Sequence, residues 1–397
     1  KFYSIFDSNL EEFFMVRVGT LTDLSHLKKI AVDNKSGLSP SEQLKKIMEV
    51  CKDLYIKKDL TYLRIVNDLK NEDIFLEKVS ELGPKEREFL EYYFDNNIEP
   101  ILNFQVVDGT RPFPRLPNLS LNVVFSLKSK KIDEKKESKK DKFYLGLIFV
   151  PDKINRYIKI SDKTMVLIED VIKEFGDKVF ENYICEEKYI MSITRNADIS
   201  YNDDDYDVDK DFKTHMKTML NKRKRLKPVR LEVDGELTPK LREILMEKLH
   251  LEEDNIFVTK SPIIAGFIFS LVEEMPEDLK EKFMDEKFSP QASYMIDPRR
   301  KVIDQVQEKD ILLSYPYESM DPIIDLLNEA AEDEAVISIK ITLYRIAKDS
   351  KIAQALIKAA ENGKEVFVLM ELRARFDEDN NIIWSSRLEE AGCKIVY

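Results

Sequence analysis

Glycine is scarce in this sequence, with 10 among 397 residues. The nucleotide-binding motifs GxxxxGK[ST] and GxGxxG need glycines at fixed positions, so that the backbone can approach phosphate oxygens, and neither motif occurs. Histidine is also rare, with three residues, and none lies in an HExxH motif. The sequence therefore excludes a standard phosphate loop, a dinucleotide-binding fingerprint and a zincin-type metal centre.

Cysteine is equally sparse. The three cysteines, Cys51, Cys185 and Cys393, lie far apart and form no CxxC pair, which argues against a disulfide framework or a cysteine zinc site and fits the reducing cytosol. No apolar run approaches the ~20 residues of a membrane helix, and no signal-peptide pattern is found. Because the first residue is Lys1 rather than Met, we expect a preceding stretch to be missing.

The overall charge is negative. Asp and Glu number 75 against 63 Lys and Arg, which gives a net charge of −12. This excess argues against a nucleic-acid coat or a binder of anionic membranes, so any polyanion site must be a local patch. The basic run Lys222 to Arg225 is one candidate patch, but basic residues also decorate helix C-termini, and a solvated helix end is the favoured interpretation.

The length predicts two or three domains, and the pattern of residues changes twice along the chain. Residues 1–75 carry apolar residues at helical spacing and predict a helical N-terminal domain, in which Ser8 and Glu11 have the spacing of a capping box. Residues 76–290 predict an α+β domain. Its expected strands are 119–127, 143–150, 189–194 and 229–233, and its expected charged surface insertions are 128–142 and 202–209.

Residues 291–397 predict an α/β domain. A strand over 335–344 is followed by a helix that Ser350 caps and Gly363 ends, and by a second strand over 366–372. A further helix is stopped by Gly392, and a third strand begins at Lys394. Short strands joined by crossover helices indicate a parallel sheet covered on both faces, and because three strands are few, we expect more sheet after Tyr397.

Arginines follow two successive strands of this predicted sheet. Ligands of parallel sheets bind outside the carboxyl ends of the strands, where Arg345, Arg373 and Arg375 are expected. The guanidinium fork matches phosphate oxygens, which predicts a site for a phosphorylated substrate. Salt bridges to Glu371, Asp377 or Glu378 are the alternative, and the residues alone leave both interpretations open.

At these residues the sequence resembles the polyphosphate kinase family of the long, histidine-phosphorylated bacterial type. The resemblance runs in order along the whole chain. Its blocks are SNLEEFFMVRV (8–18), RPFP (111–114), NLSL (118–121), TRNAD (194–198), DILL (310–313), PY (316–317), ITLYRIAKDS (341–350), ELRARFDE (371–378) and NIIW (381–384).

The resemblance implies a multi-domain α/β fold: a helical N-terminal domain (1–75), an α+β head domain (76–290) and the first part of a phospholipase D-like α/β domain (291–397). It implies a cytoplasmic, homo-oligomeric phosphoprotein, with peripheral association at the inner membrane as one option. The implied reaction is reversible transfer of the γ-phosphoryl group of ATP, with Mg²⁺, to inorganic polyphosphate through a phosphohistidine.

The resemblance also assigns residues. Asn9 corresponds to the family's ATP-contacting asparagine, for which part of a helix start is the alternative. Arg345 and Arg375 correspond to the arginines around magnesium and phosphate, and Arg373 is a further candidate phosphate contact. Because arginine has donors and no lone pair to give, we interpret these residues as phosphate ligands beside the metal, which they serve indirectly.

One feature of the family is absent. Its nucleophilic histidine belongs to an H-x-K motif expected shortly after Tyr397, and no histidine follows His250. We therefore expect this chain alone to be inactive. Two other functions stay open: a non-catalytic polyphosphate-binding module, and a phosphodiesterase of the phospholipase D superfamily, against which the blocks around Asn9 and Arg111 argue.

Overall fold

The structure is a computed structural model that describes residues 1–27, 32–108, 113–130, 143–197, 212–223, 226–374 and 376–397. The chain forms two compact units. Unit 1 comprises Lys1–Ser200 and Arg223–Phe283, and unit 2 comprises Tyr201–Lys222 and Met284–Tyr397.

Unit 1 begins with helices α1 (Phe2–Phe13), α2 (Gly19–Ser25) and α3 (Pro40–Asn71), and a π-helical turn joins the first two. Helix α3 starts at a true capping box, in which the Ser39 hydroxyl accepts from the Glu42 N–H and the Glu42 carboxylate accepts from the Ser39 N–H. The predicted capping box of Ser8 and Glu11 is wrong. Both residues lie inside α1, where backbone N–H groups already bond within the helix.

The middle of unit 1 is built on a mixed sheet. Among the described residues its strand order is β2-β4-β3-β7-β8-β9, antiparallel except for the β8–β9 pair. These strands are β2 (Asn103–Val107), β3 (Leu121–Ser129), β4 (Tyr144–Phe149), β7 (Tyr183–Arg195), β8 (Pro228–Val233) and β9 (Ile256–Val258). A smaller sheet contains β1 (Phe75–Glu77), β5 (Tyr157–Lys159) and β6 (Thr164–Leu167). The remaining helices of unit 1 are α4 (Pro84–Tyr93), α5 (Ile168–Phe175), α7 (Pro239–Leu249), α8 (Phe267–Glu273) and α9 (Glu277–Phe283).

Both faces of the larger sheet are covered, so strand β3 is buried almost throughout. Val123 and Phe125 pack with α4 and α5 on one face, and Val124 packs with α7 on the other. The four predicted strands are confirmed. Strand β7 starts six residues earlier than expected, at Tyr183, because charged residues such as Glu186 interrupt its apolar pattern.

Unit 2 contains the predicted β-α-β arrangement. Strands β10 (Ser338–Leu343), β11 (Glu365–Met370) and β12 (Lys394–Val396) form a parallel sheet in that order. Its helices are α6 (Phe212–Arg223), α10 (Val302–Glu308), α11 (Asp321–Glu332), α12 (Lys351–Glu361) and α13 (Glu378–Glu390). The Ser350 hydroxyl caps α12 by accepting from the Ala353 N–H at 3.2 Å. Gly363 and Gly392, with φ of +82° and +94°, follow the ends of α12 and α13.

The two faces of this sheet differ in their exposure among the described residues. Within the described residues its burial alternates: Val366 and Val368 are buried, whereas Leu369 is 43% exposed. Residues of α11, α12 and α13 belong to one hydrophobic cluster with Ile339, Val366 and Val368, which lie on one face of the sheet. On the opposite side β11 carries Phe367 and Leu369, whereas β10 carries the polar residues Ser338, Lys340 and Thr342.

None of the helices described here is both long and apolar enough to cross a membrane.

Candidate functional site

The candidate site lies at the carboxyl ends of β10 and β11. Leu343 and Met370 form the last register pair, and the Glu371 N–H donates to the Leu343 carbonyl at 2.9 Å. The chain segments that carry Arg345 and Arg373 therefore leave neighbouring strands at the same edge, as predicted for a parallel sheet. We call this edge, residues 344–347 and 371–374, the strand-end rim.

Arg345 combines an ion pair with exposure to solvent. Its Nε lies 3.1 Å from Asp377 Oδ2, and 57% of its side chain is exposed. An exposed pair of this kind contributes about 0–1 kcal/mol to stability, because both charges keep much of their hydration. The salt-bridge interpretation is thus correct for Arg345, and the pair with Asp377 is a weak one.

Arg373 is exposed and lies against an aromatic ring. Its guanidinium carbon is 5.3 Å from the centre of the Phe212 ring of α6, and its backbone N–H donates to Glu371 Oε1 at 2.7 Å. Arg375, the other arginine of the predicted site, lies outside the described residues. The structure therefore brings two of the three predicted arginines to one edge of the sheet.

Helix α13 supports the rim through its side chains, which sequence reasoning missed. Asn381 is fully buried and its Nδ2 donates to the carbonyls of Tyr344 at 2.7 Å and Glu371 at 3.0 Å. Asn380 Nδ2 donates to the Ile346 carbonyl at 2.6 Å, and the indole N–H of Trp384 donates to the Ala347 carbonyl at 3.0 Å. The only early sign of this role was the presence of Asn381 and Trp384 in a recognised block.

Asn9 lies in unit 1 and faces solvent from inside α1. It borders a groove of about 440 Å³ between α1 and α3, whose other lining residues are apolar except for Lys46. Phe13 and Val50, 37% and 59% exposed, are among these walls. The helix-start interpretation of Asn9 is wrong, since α1 begins at Phe2.

A buried cluster of charges, absent from the sequence prediction, holds α1 and α3 to the larger sheet of unit 1. Lys58 Nζ lies 2.5 Å from Asp7 and 3.9 Å from Glu232. Arg230 pairs with Glu232 at 3.1 Å, and the Tyr55 hydroxyl donates to the same carboxylate at 2.6 Å. Each side chain of these ion pairs is at most 4% exposed to solvent, so the cluster is part of the core.

Glu11 stands beside this cluster and is affected by it. Burial, followed by the nearby negative charges of Asp7 and Glu232, raises the pKa of Glu11 to about 7, while Arg230 and Lys58 act in the opposite direction. A carboxyl group with this pKa changes its charge near neutral pH.

Two recognised blocks have a structural role. The buried Arg195 donates from Nε to the Leu116 carbonyl at 3.0 Å, and its backbone N–H donates to Asn118 Oδ1 at 2.7 Å. The blocks that contain Asn118 and Arg195 therefore fasten the segment before β3 to the end of β7.

Some predictions lie outside the described residues. These are Arg111 and Pro112, most of the insertion at 128–142, the acidic run at 202–209, and Lys224 and Arg225 of the basic run. Helix α6 ends at Arg223, so Lys222 and Arg223 are its last two residues. The interpretation of the basic run as a solvated helix end stays a prediction. Over the described part of the chain, no group of three or more His, Cys, Asp and Glu side chains is placed to hold a metal ion.

Comparison with known protein families shows to which family the chain belongs. The family models for the polyphosphate kinase N-terminal domain, middle domain and C-terminal domain 1 match residues 1–77, 85–271 and 301–397. The chain belongs to the polyphosphate kinase family. The predicted boundaries at residues 75 and 290 and the phospholipase D-like description of the third domain stay predictions.

Individual relatives agree with this assignment. The polyphosphate kinases of Halalkalibacterium halodurans and Bacillus cereus are each 37% identical over 403 aligned residues, which cover 100% of this chain and 56% of each relative. That of Staphylococcus epidermidis is 36% identical, with 52% of its length covered. The chain thus spans about half the length of the curated relatives it matches.

A solved structure shows the same fold. The crystal structure of polyphosphate kinase from Porphyromonas gingivalis matches all of this chain and 54% of that chain, with a TM-score of 0.71 and 24% sequence identity. The predicted fold class, a multi-domain α/β protein with helical and mixed parts, is confirmed.

Proposed function

We propose that this chain belongs to an enzyme that transfers the γ-phosphoryl group of ATP to inorganic polyphosphate, reversibly and through a phosphohistidine. The observation that carries the proposal is the strand-end rim, where Arg345 and Arg373 follow neighbouring strands of the family's C-terminal domain 1. The matches of residues 1–77 and 85–271 to polyphosphate kinase domains favour this activity over a phosphodiesterase.

The arginines of the rim would act on the phosphates. Each guanidinium presents parallel N–H donors to two phosphate oxygens. These contacts would hold the polyphosphate that is being extended and offset the negative charge on the transferred phosphoryl group. Asp377 holds Arg345 until phosphate arrives, and the exposure of this pair keeps the cost of exchanging partners small. Arg375 belongs to the same proposal through the resemblance.

Magnesium fits this site in an indirect way. Mg²⁺ retains several waters and is usually held by one or two carboxylates together with substrate phosphates, so it needs no cage of protein ligands. Glu371 of the rim and Asp377, which pairs with Arg345, are the carboxylates that would hold the ion. When bound with ATP, the ion would neutralise phosphate charge beside Arg345 and Arg375.

Asn9 is proposed to contact ATP in the groove between α1 and α3. The apolar walls of the groove suit the flat face of a purine, while the amide of Asn9 offers one donor and one acceptor to a base edge. Lys46, on the other wall, adds a positive charge near this position. Both features agree with the role that the resemblance gives to Asn9.

The phosphorylated histidine is proposed to lie in residues that this chain does not contain. Two triplets within it, His26-Leu27-Lys28 and His215-Met216-Lys217, have the H-x-K spacing. His26 follows the end of α2 in unit 1, and His215 lies within helix α6 of unit 2 rather than after a strand of the parallel sheet. The cytoplasmic or peripheral membrane location and the homo-oligomeric state belong to the same proposal and depend on the resemblance.

The test uses the full-length protein with ATP, Mg²⁺ and a polyphosphate primer. We expect ADP to form together with polymer that an exopolyphosphatase degrades, and ATP to form when ADP and polyphosphate are supplied. Binding of polyphosphate without transfer would favour the non-catalytic module, and cleavage of a phosphodiester substrate would favour the phospholipase D superfamily.

A further inference from the structure

The side chain of Asn381 joins the two segments that carry the rim arginines. Its Nδ2 bonds the carbonyls of Tyr344 and Glu371, which precede Arg345 by one residue and Arg373 by two. Since both partners are acceptors, the nitrogen of the amide must face them. One side chain thus sets the spacing of two segments that no backbone turn connects directly.

The hydrogen bonds of Asn381 connect the two segments beyond the point where the backbone hydrogen bonds of the sheet end. After the last register pair, one more backbone hydrogen bond joins the two segments, from the Glu371 N–H to the Leu343 carbonyl. The N–H of Arg373, two residues later, donates to the Glu371 side chain at Oε1 and not to the neighbouring segment. The amide of Asn381 holds the strand ends together beyond this point. The segments can therefore project their arginines outward without losing a defined separation.

Arg345 is fixed on both sides by α13. The carbonyl before it, of Tyr344, accepts from Asn381, and the carbonyl after it, of Ile346, accepts from Asn380. Asp377, the residue before the first turn of α13, pairs with its guanidinium. The orientation of Arg345 thus depends on the start of one helix.

We propose that Asn381 is a positioning residue of the phosphate site, which sets the direction and separation of Arg345 and Arg373 without touching substrate. The inference rests on the proposed function, because it takes the rim as the place where phosphate binds. A bidentate phosphate contact needs a defined orientation of the guanidinium plane, so a displacement of about 1 Å lowers its contribution sharply. Asn381 is completely buried, and its Nδ2 makes both hydrogen bonds, whereas its Oδ1 has no hydrogen-bond partner among the described residues.

The experiment is a double-mutant cycle on the 397-residue chain, with sodium polyphosphate as the probe and calorimetry as the readout. The variants are Asn381→Ala, Arg345→Lys and the double variant. We expect each single change to weaken binding about tenfold, and the double change to weaken it much less than the product of the two, because residues in one network couple by about three- to tenfold or more. Ser385→Ala is the matched control. It removes a buried hydroxyl group of α13, which donates to the Ile382 carbonyl of the same helix at 3.0 Å.

A second readout does not depend on any ligand. Amide hydrogen exchange is measured over residues 344–347 and 371–374 and, for comparison, over α12. We expect Asn381→Ala to accelerate exchange in both rim segments while α12 keeps its protection, and Ser385→Ala to leave the rim unchanged.

The outcomes separate the two proposals. If Arg345→Lys leaves polyphosphate binding unchanged while Asn381→Ala still loosens both rim segments, the proposed phosphate site fails, and with it the positioning of phosphate ligands by Asn381. If Arg345→Lys weakens binding but the effects of the two changes simply multiply, the phosphate site stands and the positioning role is overturned. Unchanged hydrogen exchange at the rim in Asn381→Ala also overturns it.

Discussion

Lys58 Nζ lies 2.5 Å from Asp7 Oδ1, and the two side chains are 0% and 4% exposed. The second oxygen of the Asp7 carboxylate accepts from the Ala265 N–H at 2.7 Å, so a single carboxylate connects α1, α3 and the segment before α8. In such a dry environment neither charge has water to replace its partner.

Removal of this lysine should destabilise unit 1 strongly. Lys58→Met leaves the carboxylates of Asp7 and Glu232 buried without their shared cation, so we expect a loss of about 3–5 kcal/mol in the free energy of unfolding. Urea denaturation followed by circular dichroism measures it. Lys52→Met is the matched control on the same helix: its pair with Asp254 is 45% and 58% exposed, and we expect a change of about 0–1 kcal/mol. Similar values for the two variants would contradict the structure.

The pH dependence of stability should carry a contribution from Glu11. Its pKa is about 7 in the folded state, above the ordinary 4.5, so between these values the unfolded chain loses a proton that the folded chain keeps. Stability therefore falls as pH rises through this window and is constant above it. Glu11→Gln removes this loss, and we expect it to stabilise the protein by on the order of 1 kcal/mol at pH 8 and to leave it unchanged near pH 4.

The measurement for Glu11 is a series of thermal melts between pH 4 and 8. Glu12→Gln, at the exposed neighbouring position of the same helix, is the control for the lost charge. Equal pH profiles of the Glu11→Gln variant and the parent would show that Glu11 titrates as an ordinary surface carboxyl.

The β-α-β arrangement of unit 2 could be predicted because its signals are local. Ser350 precedes the helix it caps, and Gly363 and Gly392 stand where helices end, so each boundary is decided by residues within one turn. The spacing of Ser8 and Glu11 is an equally local signal, but the capping box predicted from it is wrong, because the same spacing also occurs within helices. A motif of two residues is a weak guide when apolar spacing already continues through it.

The polar contacts could not be predicted, because their partners are distant in the sequence or belong to the backbone. Tyr55 and Glu232 are 177 residues apart, and no pattern within either segment indicates that they meet. Asn381 bonds two main-chain carbonyls, which every residue possesses, so its identity alone does not reveal its partners. The positions of Arg345 and Arg373 beyond neighbouring strands could be predicted, because strand ends are predictable and ligands of parallel sheets bind at the carboxyl edge.

Asn9→Ala should affect ATP and not stability. Because Asn9 lies inside α1 and caps nothing, alanine at this position should leave the free energy of unfolding unchanged or raise it by about 0.5 kcal/mol through its higher helix propensity. If the amide contacts ATP, the Michaelis constant for ATP of the full-length enzyme should rise. Ser8→Ala, at the exposed position before it, is the control. An unchanged Michaelis constant for ATP in the Asn9→Ala variant would contradict the proposed contact between Asn9 and ATP.

Arg345→Lys should nearly abolish turnover of the full-length enzyme and leave the fold intact, and we expect the same of Arg375→Lys. Lysine keeps the charge but loses the planar fork, and one charge-assisted contact is worth about 1.5–3 kcal/mol, or about 10- to 150-fold in rate. Steady-state kinase assays and thermal melts measure both effects. Arg299→Lys, whose parent side chain is 87% exposed and pairs with Asp297, is the control in the same unit. Near-normal activity of the Arg345 variant would reduce this residue to a partner of Asp377.

The chain of 397 residues should not phosphorylate itself. A phosphohistidine needs a histidine whose ring nitrogen can reach the γ-phosphate beside the rim arginines. No histidine follows His250, and His215, which belongs to unit 2, lies within helix α6 rather than after a strand of the parallel sheet. Incubation with γ-labelled ATP and Mg²⁺, followed by treatment in acid and in base, is the measurement, since phosphohistidine is labile in acid and stable in base. The full-length protein is the positive control and should take up label. Acid-labile label on the chain alone would contradict the proposed location of the nucleophile. Its loss in a His26→Ala variant would assign the reaction to the H-x-K triplet of unit 1, and its loss in a His215→Ala variant to that of unit 2.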